Sequence, residues 1–254
     1  MARKPAQGKL PGKPQGKPPG RSDPDHSRRS TAADSVAAPG ADHDRVWPRI
    51  LDLLPEVPRE TIGRLEVYAR SLIRWQGAIN LVGPATLPEL WRRHMLDSVQ
   101  LLPLIGPGRG RRLVDLGSGA GFPGLVIAAL GDFEVHLVES DTRKAIFLRE
   151  TARAMGITVT VHAQRIERLK PFGADIVTAR ALAPLDRLFD MAVPLAGPDA
   201  VFWFLKGAQA PAELASARAC WTMQVVCHRS MTDEDGVILE AKGLSRVQDR
   251  DQSR

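Results

Sequence analysis

The sequence has few cysteines, few aromatic residues and no long apolar run. Only Cys220 and Cys227 are present among 254 residues, which is too few for a disulfide framework and is typical of a reducing compartment. We interpret both as small buried apolar residues rather than as a redox or metal site. No window approaches eighteen consecutive apolar residues, and the N-terminus lacks the apolar stretch of a secretory signal. These absences predict a cytoplasmic protein that needs no metal and does not enter a membrane.

Basic charge is also scarce outside the N-terminus. The chain has a net charge of +6, and residues 1–30 account for all of it, because they carry eight basic and two acidic side chains. A basic isoelectric point therefore gives little support for nucleic-acid binding by the rest of the chain, where only local patches can provide it. The hydrophobic fraction of 43% and the charged fraction of 25% are those of an ordinary globular protein.

Composition divides the chain into four segments. Residues 1–42 are rich in Pro, Gly and Lys and have hardly any large apolar side chains, so we predict a disordered basic tail. Residues 43–108 have the apolar spacing of a small helical module. Residues 109–246 alternate strands with helices, which is the pattern of βαβ units around a parallel sheet. Residues 247–254 are expected to form a flexible end.

Apolar periodicity places the individual elements. In the helical module it predicts helices over 44–54, 58–76 and 87–103. In the α/β domain it predicts helices over 142–155 and 184–196, the first capped by Asp141 and ended by Gly156. Seven strands are predicted, at 112–116, 134–139, 158–162, 174–178, 200–205, 221–228 and 236–241. The last two are close in sequence and predict an antiparallel hairpin. A mostly parallel seven-stranded sheet of this kind is the Rossmann-like fold of class I methyltransferases.

A glycine-rich turn follows the first predicted strand and leads into a helix that Pro123 can open. Two cofactors fit its pattern. The spacing Gly119-x-Gly121-x-x-Gly124 matches a dinucleotide fingerprint, whereas Asp115 ahead of Gly117 and Gly119 matches a methyl-donor turn. An acid has no use beside a pyrophosphate but suits a sulfonium and an amino group. Glu139, twenty residues after Gly119, can accept both hydroxyls of a ribose, so the pattern favours S-adenosylmethionine.

Four sequence motifs point beyond the fold to a particular protein family. They are Arg93-His-Met-Leu-Asp-Ser98, Asp115-Leu-Gly-Ser-Gly-Ala-Gly-Phe-Pro-Gly124, Thr178-Ala-Arg-Ala-Leu-Ala183 and Leu205-Lys-Gly207. In this order and spacing they resemble the glucose-inhibited division protein B (RsmG) family, bacterial methyltransferases of guanine N7 in 16S rRNA. The resemblance extends over about residues 45–242.

The resemblance implies an enzyme that acts on 16S rRNA, free, in the 30S subunit or in its precursor, and we expect a monomer. It implies cofactor contacts from Gly117, Phe122, Ile166, Glu167 and Arg180. It implies substrate contacts from Asn80, Arg165, Arg180 and Lys206. Guanine N7 carries a lone pair and no proton, so no general base is needed, and catalysis should depend on alignment and the exclusion of water.

Each substrate-side residue also has a structural interpretation. Arg180, the catalytic candidate, can bind the cofactor carboxylate or guanine O6, or form an ion pair with Asp97 or Asp186. Lys206 can contact phosphate or be a solvated turn lysine. His94 can stack on a base or only pack between segments. A basic cluster is a plausible phosphate surface and comprises Arg92, Arg93, Arg109, Arg111 and Arg112.

Three other functions remain open from the pattern alone. They are an NAD-dependent oxidoreductase, a methyltransferase of another RNA, a small molecule or a protein, and a non-catalytic RNA-binding protein with the same fold.

Overall fold

The computed structural model describes residues 40–247. Residues 1–39 of the predicted tail and residues 248–254 fall outside this range, whereas Ala41 and Asp42, also assigned to the tail, begin the first helix. A seven-stranded sheet forms the centre of the described part, with strand order β3-β2-β1-β4-β5-β7-β6. Its strands are β1 Arg112–Leu116, β2 Glu134–Val138, β3 Thr160–His162, β4 Ala174–Arg180, β5 Ala196–Lys206, β6 Trp221–Arg229 and β7 Val237–Arg246. Neighbouring strands are parallel except where β7 pairs antiparallel with β5 and β6. The predicted fold class is confirmed.

Helices connect the parallel strands on both faces of the sheet. The helix Gly124–Leu130 follows the glycine turn, and the helix Thr142–Met155 lies between β2 and β3. The Asp141 side chain accepts hydrogen bonds from the backbone N–H groups of Arg143 and Lys144, and Gly156 is left-handed with φ of 65°. Both ends therefore form as predicted, because a short carboxylate satisfies free N–H groups and a glycine tolerates positive φ.

The helices of the α/β domain depart from prediction at two places, and β5 and β7 are longer than predicted. The helix predicted over 184–196 is an α-helix only over Leu185–Ala192 and continues as a 3-10 turn, Val193–Leu195. The proline at position 194 has no N–H to continue the helix, and it accounts for the change. A helix at Ala210–Arg218 was not predicted, since its alanine-rich sequence has almost no apolar periodicity.

The N-terminal part is helical but more broken than predicted. The first helix is Ala41–Leu53, three residues earlier at its start than the sequence pattern suggested. The second divides at Gly63 into Arg59–Ile62 and Arg64–Gln76. The single helix predicted over 87–103 is confirmed only in part. A 3-10 helix, Pro84–Glu89, comes first, and the chain then continues as a π-helix, Trp91–Leu96, and two short α-helices, Asp97–Val99 and Leu101–Ile105. Pro103 lacks the N–H that would bond to the Val99 carbonyl, which explains the interruption at Gln100, whereas Pro84 lies at the start of the 3-10 helix, where no N–H is needed.

Each face of the sheet is covered by its own apolar core. One core joins the N-terminal helices to the sheet, since Leu65 and Tyr68 are packed in the same cluster as Leu137 and Phe147. The helical module therefore shares its core with the α/β domain. The other core lies beneath the helix Leu185–Ala192 and includes the fully buried Phe189.

Cys220 and Cys227 are both exposed, so the interpretation of them as buried residues is wrong. Their positions just before β6 and along it explain this, because β6 is the edge strand of the sheet. Among residues 40–247, no helix is long and apolar enough to cross a bilayer.

Replacing Phe189 by Ala tests the second core. We expect the free energy of unfolding to fall by about 3–5 kcal/mol, because the lost ring leaves a cavity in a fully buried site. Urea denaturation measures the change. Ile146→Ala, on the exposed side of another helix with a relative exposure of 44%, should change it by only about 0.5 kcal/mol. Equal effects would contradict the assigned packing.

Candidate active site

The glycine turn lies at the carboxyl end of β1. Ser118 N–H donates to the Val138 carbonyl at 3.0 Å, so the turn is fastened to the neighbouring strand β2. Gly117, Gly119 and Gly121 have φ values of 63°, 54° and 97°, which only glycine adopts without strain. At Gly124 a Cβ would lie 2.4 Å from Leu137 Cδ2 and 2.8 Å from Asp115 Oδ2. The turn requires glycine for conformation at three positions and for close packing at the fourth.

Asp115 is completely buried beneath this turn. Its Oδ1 accepts a hydrogen bond from Thr178 Oγ1 at 2.8 Å. Its Oδ2 has no hydrogen bond of regular geometry among the described residues, although the Gly124 N–H lies close to the carboxylate. Burial raises the pKa of Asp115 to about 6, although the hydrogen bond from Thr178 opposes the shift. A carboxylate with a free oxygen is thus held where a cationic or N–H-bearing group could compensate it.

Glu139 follows β2 and is held by two backbone N–H groups. Its Oε2 accepts from Gly119 N–H at 2.8 Å and its Oε1 from Asp141 N–H at 2.7 Å. The residue is only 8% exposed. Each oxygen retains acceptor capacity for a further donor, and the two N–H bonds fix the carboxylate in place beside the turn.

Phe122 is packed between three side chains from other segments. Its ring centroid lies 4.9 Å from that of Tyr68 and 5.1 Å from that of His94. The guanidinium carbon of Arg180 is 5.0 Å from the same ring, a cation–π distance. Phe122, His94 and Arg180, which the sequence analysis named separately as candidates, thus lie side by side.

Tyr68 belongs to this site although sequence reasoning placed it only on the apolar face of a helix. It is fully buried, and its hydroxyl donates to the Ala120 carbonyl inside the glycine turn. One feature of the sequence could have drawn attention to it. Tyr68 is the only tyrosine in the chain, and a phenol on an apolar helix face needs a hydrogen-bond partner when it is buried.

His94 is buried and neutral. Thr86 Oγ1 donates its single proton to the Gly83 carbonyl at 2.8 Å, so at 2.9 Å from His94 Nε2 it accepts from the ring. The proton of the neutral imidazole is thereby assigned to Nε2. Burial, with the nearby charges of Arg180 and Arg93, lowers the pKa of His94 to about 3. The ring therefore contributes packing without charge at physiological pH.

Arg180 ends β4 and lines a cleft. Its Nη1 donates to the Arg93 carbonyl at 3.2 Å and lies 3.5 Å from Asp97 Oδ2. The ion pair with Asp97 considered from the sequence is thus present, whereas Asp186 is not its partner. Ala181 follows with φ of 51°, a strained conformation for alanine that turns the chain sharply beside the cleft.

The cleft has a volume of about 390 Å³ and is walled by the ends of β4 and β5 and the start of β7. It brings together three of the predicted residues, Arg180, His94 and Lys206. Lys206 is not the solvated turn lysine that was one of its two sequence interpretations. Its side chain is 8% exposed, and Nζ donates to the Ala183 carbonyl at 2.8 Å and to Glu213 at 2.6 Å.

The remaining predicted residues do not line this cleft. Asn80 is exposed and accepts from Gln76 Nε2 at 3.3 Å. Arg165 is exposed just before the short 3-10 turn Ile166–Arg168, which follows β3 and carries Ile166 and Glu167.

The predicted basic cluster divides into two groups. Arg112 begins β1 and donates to the Phe172 carbonyl, whereas Arg93 lies in the cleft at the other end of the strands. Since the two ends of β1 point to opposite edges of the sheet, the arginines do not make one surface.

The strand order with one antiparallel strand, and the acid-led glycine turn after β1, define a class I methyltransferase. The profile of the rRNA small subunit methyltransferase G (GidB) family matches residues 61–238. The chain belongs to this family.

Relatives support the same assignment. The chain is 56% identical over 190 residues to the ribosomal RNA small subunit methyltransferase G of Paramagnetospirillum magneticum, covering 75% of this chain and 92% of the relative. It is 50% identical over 209 residues to the protein of the same name from Parvibaculum lavamentivorans, covering 78% and 92%. A third relative of that name, from Rhodospirillum rubrum, is 52% identical over 193 residues, covering 75% and 94%.

Replacing Asp115 by Asn tests the buried carboxylate. Its folded pKa of about 6 lies above the unfolded value of about 3.9, so ionisation costs stability above pH 6 and nothing below about pH 4. Asp115→Asn should therefore gain stability relative to the wild type as pH rises from 4 to 7, by up to about 3 kcal/mol. Urea denaturation at several pH values measures the difference. A difference independent of pH would contradict the raised pKa.

Proposed function

We propose that this protein transfers a methyl group from S-adenosylmethionine to N7 of a guanine in small-subunit rRNA. The observation that carries the proposal is the pair of buried carboxylates, Asp115 and Glu139, on either side of the glycine turn. Family membership supports rRNA as the substrate, and the adjoining cleft at Arg180 offers a place for a base.

The residues around the turn suit the methyl donor. Glu139 is aligned by two N–H groups and can accept the ribose hydroxyls. At Gly119 an added Cβ would meet only the Gly117 carbonyl, at 3.7 Å, so the backbone there is open to close approach, and the Gly117 backbone is proposed to contact the donor as well. Phe122 offers an apolar wall, and the turn that contains Ile166 and Glu167 is proposed to flank the adenine. S-adenosylmethionine would supply the methyl group on a sulfonium, and the free oxygen of Asp115 is proposed to compensate positive charge or an N–H group there.

The proposed chemistry needs no base from the protein. Guanine N7 has an available lone pair, so the residues have to align the two reactants and exclude water. His94 is not needed as a base in this reaction. With a pKa of about 3, its ring stays neutral at neutral pH and can pack beside the reactants without adding charge. Its stacking on Phe122 and the donor groups of Arg180 shape the cleft, and Arg180 is proposed to bind guanine O6 or the carboxylate of the donor.

The other proposed substrate contacts differ in how accessible their side chains are. Asn80 and Arg165 are exposed and free to meet RNA. Lys206 already forms an ion pair with Glu213, so a phosphate contact would require that pair to open. We further propose that residues 43–108 and 109–246 act as two parts of one monomeric enzyme working on 16S rRNA or the 30S subunit in the cytoplasm.

Replacing Glu139 by Gln tests the donor site. Removing the ionised acceptor should weaken binding of S-adenosylhomocysteine by about tenfold to a hundredfold, since hydrogen bonds to a charged group contribute about 1.5–3 kcal/mol. Isothermal titration calorimetry measures the affinity. Glu134→Gln, the exposed carboxylate at the other end of β2, is the control. Tight NAD binding with no binding of the methyl donor would favour an oxidoreductase instead.

Methylation of purified 30S subunits and of free 16S rRNA tests the reaction. We expect transfer of a labelled methyl group to one guanine, located at N7 by nuclease digestion and mass spectrometry. Arg180→Ala should abolish transfer while circular dichroism shows a folded protein. Arg153→Ala, on an exposed helix surface beside Glu150, should keep full activity. Methylation of another base, or full activity of Arg180→Ala, would contradict the assignment.

A further inference from the structure

Three segments of the chain meet at the carboxylate of Asp97. Asp97 itself lies in the N-terminal helical part, at the start of the turn Asp97–Val99. Its Oδ1 accepts from Thr232 Oγ1 at 2.6 Å, and Thr232 belongs to the loop between β6 and β7. Its Oδ2 lies 3.5 Å from Arg180 Nη1 at the end of β4. Both oxygens are thus engaged by groups that line the cleft.

Gln100 strengthens the same junction. Its Nε2 donates to Asp97 Oδ1 at 2.9 Å, and its Oε1 accepts from Met231 N–H at 2.7 Å. The side-chain amide therefore joins Asp97 to the β6–β7 loop through a second route. Thr232 is itself buried, and its hydroxyl lies 3.0 Å from Ser230 Oγ. The loop wall of the cleft and the guanidinium opposite it are held by one carboxylate.

Burying the Asp97–Arg180 ion pair costs free energy, because both charges lose hydration when the protein folds. The Asp97 and Arg180 side chains are only 16% and 19% exposed. Burial raises the pKa of Asp97 and lowers the pKa of Arg180, so each charge loses hydration. A buried pair of this kind often contributes little net stability compared with apolar residues of similar size. Because the pair lies beside the cleft, its main effect is to hold the Arg180 guanidinium in one orientation.

We propose that Asp97 is a positioning residue for methyl transfer, which fixes the Arg180 guanidinium against Phe122 and aligns it with the β6–β7 wall of the cleft. This inference rests on the proposed function, because it assigns Asp97 a part in the same reaction. Asp97 does not itself need to touch either reactant. Without its charge, the one hydrogen-bond acceptor left to Arg180 among residues 40–247 is the carbonyl of Arg93, and the guanidinium can turn away from its present orientation.

Steady-state methylation of 30S subunits by Asp97→Asn tests the proposal. Misalignment should lower kcat by about tenfold to a hundredfold, while the KM values for the methyl donor and the 30S subunit change only about twofold. Asp97→Glu keeps the charge and should recover part of kcat. Asp190→Asn is the matched control, since it removes the carboxylate of a half-exposed pair with Arg246, at the opposite end of the sheet, and should keep the wild-type kcat.

A double-mutant cycle separates positioning from a purely structural role. If Asp97 acts through Arg180, Asp97→Asn should lower kcat much less in an Arg180→Lys background than in the wild type. Thr232→Val removes one hydrogen bond to the carboxylate and should give a smaller fall in kcat. It provides the test if Asp97→Asn does not fold.

The outcomes are distinct. If the wild type does not methylate rRNA, the proposed function fails and the inference fails with it. If the wild type is active and kcat of Asp97→Asn, or of Thr232→Val where Asp97→Asn does not fold, is unchanged, only the inference is overturned. Equal losses of kcat in both Arg180 backgrounds would likewise overturn it.

Discussion

The hydrogen bond between Thr178 Oγ1 and Asp115 Oδ1 lies at the point on which the whole site depends. It joins the carboxyl ends of β1 and β4, which are neighbours in the sheet although β2 and β3 come between them in sequence. From β1 the chain adds β2 and β3 toward one edge of the sheet. It then returns to the centre, where β4 pairs with β1, and adds the remaining strands toward the other edge. A crevice opens at such a reversal. The proposed donor site lies on the β1 side and the cleft on the β4 side.

The two sides of this crevice have different electrostatic character. On the β1 side, Asp115 and Glu139 present buried acceptors, which suits a donor molecule with hydroxyl and cationic groups. On the β4 side, Arg180 presents buried N–H donors, which suit O6 of guanine and leave the N7 lone pair free. His94 and Phe122 separate them with an uncharged stack. Acceptors facing one reactant and donors facing the other would bring a cation and a purine together in one orientation.

The sequence predicted most of the sheet and much of the turn because those features depend on local pattern. Buried strands give apolar runs, and the left-handed turn requires glycine, so β1 and Gly117 could be placed without a structure. Asn80 and Arg165 came only from resemblance, and they lie away from the cleft. The Asp97–Arg180 ion pair was one of the sequence interpretations, but the Thr232 contact of Asp97 and the Ala120 contact of Tyr68 could not be found by pattern, because these partners are far away in the chain. The buried state of Lys206 was missed for the same reason, since Glu213 comes from a helix without apolar periodicity.

Tyr68 has a consequence for how this enzyme could be re-engineered or could diverge. The helix that carries it lies outside the βαβ units, yet its phenol completes the hydrogen bonding of Ala120 within the glycine turn and its ring packs on Phe122. A graft of the sheet and its turn into another scaffold would leave a buried carbonyl without a donor. A graft that keeps this hydrogen bond therefore has to carry the helix Arg64–Gln76 together with the glycine turn.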